Sequence, residues 1–218
     1  MTFTTSFLKP LALAALLAVA STSQAAITVY TSPASFAAAT SAPGVDTYAD
    51  FSITDSTPSP LTRSAGAYSY TAAATTNSFF GAGTIANPWL STNTATDAMT
   101  LSTFSAGVQA VGGNFFGSDL NGLFKTGNIT LTATDASGSV TQTIVGASVS
   151  SFLGFVSSGA MTSLTVAAVQ PTVGFLWPTL DNLTLAKSAA APIPEPETYA
   201  LMLAGLAATA FVARRRRA

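Results

Sequence analysis

The chain has 218 residues, only 8% of them charged, and it contains no histidine and no cysteine. A typical soluble protein has about 25% charged residues. The two absences exclude disulfides, thiolate or imidazole metal sites, Cys and His nucleophiles, and Ser-His-Asp catalysis. Four of the eight basic residues stand together at the C-terminus, so the stretch 26–191 carries three cations against seven aspartates. A nucleic-acid partner is excluded because this stretch offers no basic face.

The first 25 residues have the three parts of a secretory signal peptide. Lys9 supplies a positive charge, residues 11–20 form an apolar run, and small residues precede a cleavage site between Ala25 and Ala26. A membrane anchor or a buried helix is the alternative. Ten residues span only about 15 Å as a helix, half of a bilayer core, so the length favours a signal peptide. We therefore predict that the mature chain is exported.

Residues 26–187 are predicted to form one all-β domain, an antiparallel, jelly-roll-like β-sandwich with one short helix. Threonine is abundant here and favours strands, while Ser, Gly, Asn and Asp clusters mark turns. The predicted elements of its first half are an opening strand over 27–30, a helix begun by Ser32-Pro33, a strand over 46–53, and long loops over 71–98.

The clearest hairpin lies over residues 128–145. Apolar residues at 129, 131 and 133 alternate with threonines, and Asp135-Ala136-Ser137-Gly138 predicts the turn. Gln142 breaks the alternation of the returning strand, which leaves the register open. Later strands are predicted over 152–156, 161–168, 173–177 and 183–185, with Trp177 in the core. Their spacing of about ten residues is typical of an antiparallel sandwich.

The C-terminal part combines alternating prolines, an apolar run and a basic cluster. Residues 199–213 carry no charge and are followed by Arg214, Arg215, Arg216 and Arg217. Fifteen residues give about 22 Å of helix, which a thin bilayer and snorkelling arginines can accommodate. The cluster predicts a transmembrane helix with a cytoplasmic end and the body outside. A generic single-span anchor is one interpretation.

The order and spacing of Pro194-Glu195-Pro196, the apolar run and the arginines closely resemble the PEP-CTERM sorting signal over residues 192–217. That signal occurs on exported proteins of Gram-negative bacteria that make exopolysaccharide. The resemblance implies that an exosortase, a membrane-embedded protease or transpeptidase, recognises the Pro-Glu-Pro tripeptide and removes the tail. The chain departs from the pattern only at Ile193, where Val is common. The expected organisation is a signal peptide over 1–25, a sandwich over 26–187, a linker over 188–193 and a sorting tail over 194–218.

The body also resembles a β-sandwich domain found on other PEP-CTERM proteins. The similarity consists of short apolar patterns, among them Phe36 in an early helix, Phe51 in the next strand, and residues 180–183 before the last strand. It implies a jelly-roll sandwich without a defined activity.

Two kinds of acidic site merit attention. A glycoside hydrolase needs two carboxylates about 5–9 Å apart. Asp46, Asp50 and Asp55 are close in sequence, but nothing orients them together, so we predict no catalytic residues and no enzyme activity. Calcium prefers carboxylate and carbonyl oxygens, and Asp50 and Asp181 could hold a structural ion that joins the first strands to the last. The alternative for Asp181 is an ordinary turn. No other cofactor is predicted.

The aromatic residues offer a further hypothesis. Trp89 lies in a predicted loop, and Tyr68 and Tyr70 alternate upstream of it. Exposed rings can stack on the apolar faces of sugars, although aromatic residues also fill cores. Arg63 and Lys125 are predicted to be isolated surface charges.

We expect a non-enzymatic surface or matrix protein. It would cross the inner membrane, be anchored there transiently, be cut by exosortase, and associate with exopolysaccharide at the cell surface, as in a biofilm. A carbohydrate-binding module with Trp89, Tyr68 and Tyr70 as its platform is the alternative, and a glycoside hydrolase is the third hypothesis.

Overall fold

A computed structural model describes residues 27–76, 78–189 and Leu206. Within residues 27–76 and 78–189 the chain forms strands connected by turns, with one helix of six residues, α1, at Pro33–Ala38. The strands are β1 (Ile27–Tyr30), β2 (Thr40–Asp46), β3 (Ser56–Pro58), β4 (Leu61–Ala65), β5 (Tyr68–Ala74), β6 (Ser78–Thr84), β7 (Asn87–Thr92), β8 (Met99–Ser102), β9 (Ala110–Ser118), β10 (Phe124–Lys125), β11 (Gly127–Asp135), β12 (Gly138–Ala147), β13 (Phe152–Ser157), β14 (Met161–Val169) and β15 (Trp177–Ser188).

The strands form two antiparallel sheets. The first has nine strands, with the order β1-β13-β9-β15-β7-β6-β3, while β10 pairs with β9 and β2 pairs with β15. The second has six strands in the order β12-β11-β14-β8-β5-β4. The prediction of an all-β, antiparallel protein is confirmed, and the two sheets are consistent with a β-sandwich. A jelly-roll connectivity stays a prediction.

Both sheets contribute to one hydrophobic core. Phe79 and Phe115 from the nine-stranded sheet and Met99 and Leu131 from the six-stranded sheet are fully buried in it. Burial of such a side chain contributes about 1.5–3 kcal/mol, so the core can stabilise the domain without disulfides. Strand β11 alternates buried apolar residues with outward threonines from Ile129 to Thr134.

Several predicted elements are confirmed. The opening strand forms as β1, and the hairpin forms as β11 and β12. The strands predicted over 152–156 and 161–168 form as β13 and β14. The helix begins where expected, because Ser32 Oγ accepts the backbone N–H of Ser35 at 3.2 Å and Pro33 occupies the first turn. The helix buries Phe36, whose ring lies 5.5 Å from that of Phe152.

Three predictions about elements are wrong. The strand expected over 46–53 lies earlier, as β2, and ends at Asp46, because the Asp46 carboxylate accepts the N–H of Tyr48 at 3.0 Å and turns the chain. The long loops expected over 71–98 contain β6, β7 and most of β5. The strand expected over 173–177 is a loop, and only Trp177 enters β15, where it is partly exposed rather than in the core.

The predicted signal helix and transmembrane helix lie outside the described residues. Among the residues that the structure describes, no helix is both long enough and apolar enough to cross a bilayer.

Candidate functional site

Arg63 forms ion pairs with two aspartates, Asp46 at the end of β2 and Asp50 in the segment after it. Its Nε donates to Oδ2 of Asp46 at 2.7 Å, and its Nη2 donates to Oδ1 of Asp46 at 2.8 Å and to Oδ1 of Asp50 at 2.7 Å. The guanidinium carbon lies 4.9 Å from the ring centroid of Tyr48. The Arg63 side chain is only 10% exposed, so the prediction of an isolated surface charge is wrong. Because Arg63 lies on β4, this ion pair joins the two sheets.

Two tyrosines complete this cluster from the core side. Tyr70 donates its hydroxyl to Oδ2 of Asp46 at 2.8 Å, and the hydroxyls of Tyr48 and Tyr70 lie 3.0 Å apart. A phenol has one proton, so Tyr48 is the donor in that second bond. Burial raises the pKa of both phenols well above the usual range. Both phenols therefore stay neutral and donate hydrogen bonds. The cluster is a buried hydrogen-bond network that stabilises the fold.

The predicted aromatic platform is not formed. Tyr68 and Tyr70 point into the sandwich, with 7% and 1% of their surfaces exposed, and the Tyr68 hydroxyl donates to the carbonyl of Ala42 at 2.9 Å. The two rings face inward because alternate residues of β5 line the core. Trp89 is partly buried, and its ring packs edge-on against Phe116 with centroids 4.8 Å apart. These three rings do not present a common face to a sugar.

Asp181 lies at an irregularity in β15. The register between β15 and β9 shifts between Asp181 and Thr184, and Asn182 has a φ of 52°. The Asp181 carboxylate accepts the backbone N–H of Asn182 at 2.7 Å and its side-chain amide at 3.0 Å. Burial raises the pKa of Asp181, and the hydrogen bond from the Asn182 backbone partly offsets this effect.

Calcium binding by Asp50 and Asp181 stays a prediction, and the contacts of both carboxylates weigh against it. The charge of Arg63 already neutralises Asp50 and would repel a cation. Both oxygens of Asp181 accept hydrogen bonds from Asn182. In the part of the chain that the structure describes, no three acidic, His or Cys side chains are grouped so that they could hold a metal ion.

A groove is lined by residues of β6 and β7, by the loop 119–123 after β9, and by Trp177 at the start of β15. At its other end it reaches Phe175 of the segment 170–176, which precedes β15. Its narrower part has a volume of about 210 Å³, and it continues into a shallower depression of about 420 Å³. Asp119, Leu120 and Trp177 line both parts. The rings of Phe175 and Trp177 are 6.2 Å apart and inclined at 65°, and Phe175 is 58% exposed. The exposed ring of Phe175 and the partly exposed ring of Trp177 thus line the shallower part of the groove.

Hydrogen bonds hold the walls of this groove in place. Lys125 donates from Nζ to the carbonyl of Phe175 at 2.9 Å. This carbonyl is neutral, so the prediction that Lys125 is an isolated surface charge stays a prediction. Oδ1 of Asp119 accepts the backbone N–H groups of Asn121 and Leu123, each at 2.9 Å, and closes the opposite loop. Pro171 and Gly174, which has a φ of 77°, could have marked the segment as a loop from sequence.

The outer face of the six-stranded sheet is covered by hydroxyl groups. Its strands place Ser and Thr side chains opposite each other, in a row that crosses all six strands and in a second row that crosses four. The first row is Ser139, Thr134, Ser163, Ser102, Thr71 and Thr62, and the second is Thr141, Thr132, Thr165 and Thr100.

Neighbouring hydroxyls in these rows hydrogen-bond to each other. The pair Thr132 and Thr141 is separated by 2.9 Å, as is the pair Thr134 and Ser139. The two charged residues of this sheet's strands, Arg63 and Asp135, occupy buried positions instead. The outward positions therefore form an uncharged hydroxyl face. The alternating Ser and Thr residues of each strand are visible in the sequence. The rows form only when the strands pair in this register.

The cleavage site Ala25–Ala26, the tripeptide Pro194-Glu195-Pro196 and the arginines 214–217 lie outside the described residues. Comparison with known protein families identifies a PEP-CTERM protein-sorting motif over residues 192–217. The chain carries a PEP-CTERM sorting motif. This finding confirms the resemblance and supports an exosortase substrate, because the motif implies processing by exosortase. It also implies export and transient anchoring in the membrane before surface display. No curated protein and no solved structure matches the chain.

Proposed function

We propose that the body of this PEP-CTERM protein works outside the cell as a non-enzymatic component that binds exopolysaccharide. The observation that carries the proposal is the groove with the Phe175–Trp177 pair. Sugar rings have apolar C–H faces, which pack on aromatic rings, and hydroxyl rims, which need polar partners. Asp119 lines the part of the groove that holds both rings, and Asn93 lines the narrower part together with Trp177. The groove takes over the role first assigned to Trp89, Tyr68 and Tyr70.

The hydroxyl face of the six-stranded sheet supports the same proposal. A neutral polysaccharide has no charge that could pair with a charged side chain of the protein. An uncharged protein surface therefore binds it without burying an unpaired ion. Rows of hydroxyls, about 4.7–4.9 Å apart across neighbouring strands, can donate and accept hydrogen bonds repeatedly along an extended chain. Each such contact is weak, but a long polymer makes many of them at once.

The contacts of the aspartates favour binding over hydrolysis. Asp46 and Asp50 come together, as a two-carboxylate hydrolase would need, but both are bound to Arg63. The hydrogen bond from Arg63 holds the pKa of Asp50 below its usual range, although partial burial opposes the effect. A general acid in a glycosidase requires the opposite shift. Asp97 accepts the hydroxyl and backbone N–H of Thr76, which is a structural role.

The test measures retention of the exported protein on exopolysaccharide prepared from the producing cells. The double variant Phe175→Ala, Trp177→Ala should reduce the affinity about tenfold or more, because aromatic anchors dominate such interfaces. Val149→Ala, an exposed apolar truncation elsewhere, is the matched control and should bind like the wild type. Undiminished binding by the double variant would reject the groove. Failure of the wild type to bind would reject the association with exopolysaccharide.

A further inference from the structure

The six-stranded sheet ends in a long strand with a free flank. Strand β12 spans ten residues and, in the described part of the chain, is hydrogen-bonded to β11 alone. Most of its residues are exposed, including Val145 at 78%. The backbone N–H and C=O groups on such a flank have no ladder partner and are able to pair with another strand. The free edge of β12 is therefore available for pairing with another strand.

The other described edge strands carry devices that discourage pairing. β1, β3 and β10 have only four, three and two residues. β2 contains Pro43, which lacks an N–H donor, and β4 has only five residues. Short strands, prolines and charges are the usual protections of an edge. β12 has none of the three, since its sequence GSVTQTIVGA has no proline and no charge.

We propose that β12 pairs antiparallel with β12 of a second copy of this chain, with Gln142 on the two-fold axis. In this register Thr141 faces Thr143 of the second copy, and Val140 faces its Ile144. Two six-stranded sheets would then join into one continuous sheet across an isologous interface. The inference goes beyond the proposed function, because it concerns self-association and not the ligand.

This register is self-complementary on both faces of the strand. Val140 and Ile144 pack against the core but are only partly buried, so pairing with each other across the axis would cover their remaining apolar surface. On the outer face, Thr141 and Thr143 already hydrogen-bond to Thr132 and Thr130 at 2.9 Å. Their partners in the second copy would extend these hydroxyl rows. The neutral strand brings no like charges together at the axis.

A cysteine placed at the axis tests the pairing in the full chain. The protein has no cysteine, so Gln142→Cys creates a single thiol. Residues that face each other in an antiparallel pair have Cβ atoms about 4.5–5.5 Å apart, close to disulfide geometry. Cells that export this variant, treated with copper–phenanthroline in air, should yield a disulfide-linked dimer on a non-reducing gel. Thr62→Cys, on the opposite edge of the same sheet, is the matched control and should give about tenfold less dimer.

A charge exchange tests the register itself. The double variant Thr141→Lys, Thr143→Lys places like charges opposite each other and, combined with Gln142→Cys, should lower cross-linking about tenfold. Co-export with the corresponding Glu variant should restore it, as mixed dimers. Equal cross-linking at positions 62 and 142, or no rescue by the opposite charges, would overturn the proposal. The proposal would be established if the Lys variant loses the cross-linking and co-export with the Glu variant restores it.

Discussion

The guanidinium of Arg63 and the carboxylate of Asp46 form a two-point ion pair between the two sheets, with N–O distances of 2.7 and 2.8 Å. Asp46 is the last residue of β2 in the nine-stranded sheet, and Arg63 is the middle residue of β4 in the six-stranded sheet. A planar guanidinium matches a carboxylate in this geometry better than an ammonium does. The pair therefore fixes the position of β2 relative to the second sheet.

Removal of the guanidinium should destabilise the protein strongly. Arg63→Met keeps the aliphatic stem but leaves Asp46, which is 5% exposed, without its cation. An unpaired buried carboxylate costs about 3–5 kcal/mol, so the free energy of unfolding in urea should fall by that amount. Asp50→Asn is the matched control, because Asp50 is mostly exposed and its pair with Arg63 should contribute less than about 1 kcal/mol. Equal losses in the two variants would contradict this account.

A methyl group at residue 44 should push β2 away from β4, close to the ion pair of Asp46 and Arg63. A Cβ on Gly44 would clash with the backbone oxygen of Ala65, and it would lie 3.1 Å from the Cα of Gly66. Backbone cannot move aside as a side chain can, so Gly44→Ala should cost at least about 1–3 kcal/mol in urea denaturation. Val45→Ala, next along β2 and 46% exposed, should change the stability by less than about 0.5 kcal/mol. A Gly44→Ala protein as stable as wild type would disprove the close approach.

The stability of the protein should depend on pH through Asp135. Burial would raise the pKa of this carboxyl, but hydrogen bonds from Ser137 and from Ser157, whose hydroxyl lies at 2.6 Å, hold it below the usual value. A lowered pKa in the folded state stabilises the protein above the unfolded pKa of about 3.9, and this contribution is lost as the pH falls through the folded value.

Ser157→Ala should therefore lower the free energy of unfolding at pH 7 and make its decline below pH 4 shallower. Denaturant titrations at several pH values measure both effects. Ser150→Ala, in an exposed turn, should leave the pH profile unchanged. The same slope in Ser157→Ala and wild type would show that this hydroxyl does not set the pKa of Asp135.

Processing should depend on the tripeptide of the PEP-CTERM motif. Glu195→Ala, or replacement of Pro194 and Pro196, should leave export intact but block removal of the tail. The uncut protein should accumulate in the inner membrane and be about 2–3 kDa heavier than the processed form, because it keeps the apolar run and the arginines. Mass spectrometry of the surface protein measures its C-terminus. A wild-type mature chain that still ends in Arg214 to Arg217 would contradict processing at this motif.

The sequence by itself determined several local elements and the sorting motif of this protein, because these depend on residues that are close along the chain. Alternating Ile129, Leu131 and Ala133 predicted a strand, since side chains of a strand point to opposite faces. Ser32-Pro33 predicted a helix start from capping chemistry alone. The PEP-CTERM motif is linear, so it could be read without a fold.

Only the tertiary structure decided which face of each strand is buried and which distant residues meet. Tyr68 and Tyr70 alternate in the same way whether they face solvent or core, and packing against the nine-stranded sheet determines that they face the core. Arg63 meets Asp46 because two sheets pack, and the hydroxyl rows require the register of six strands. These relationships depend on packing between elements, and no local propensity encodes them.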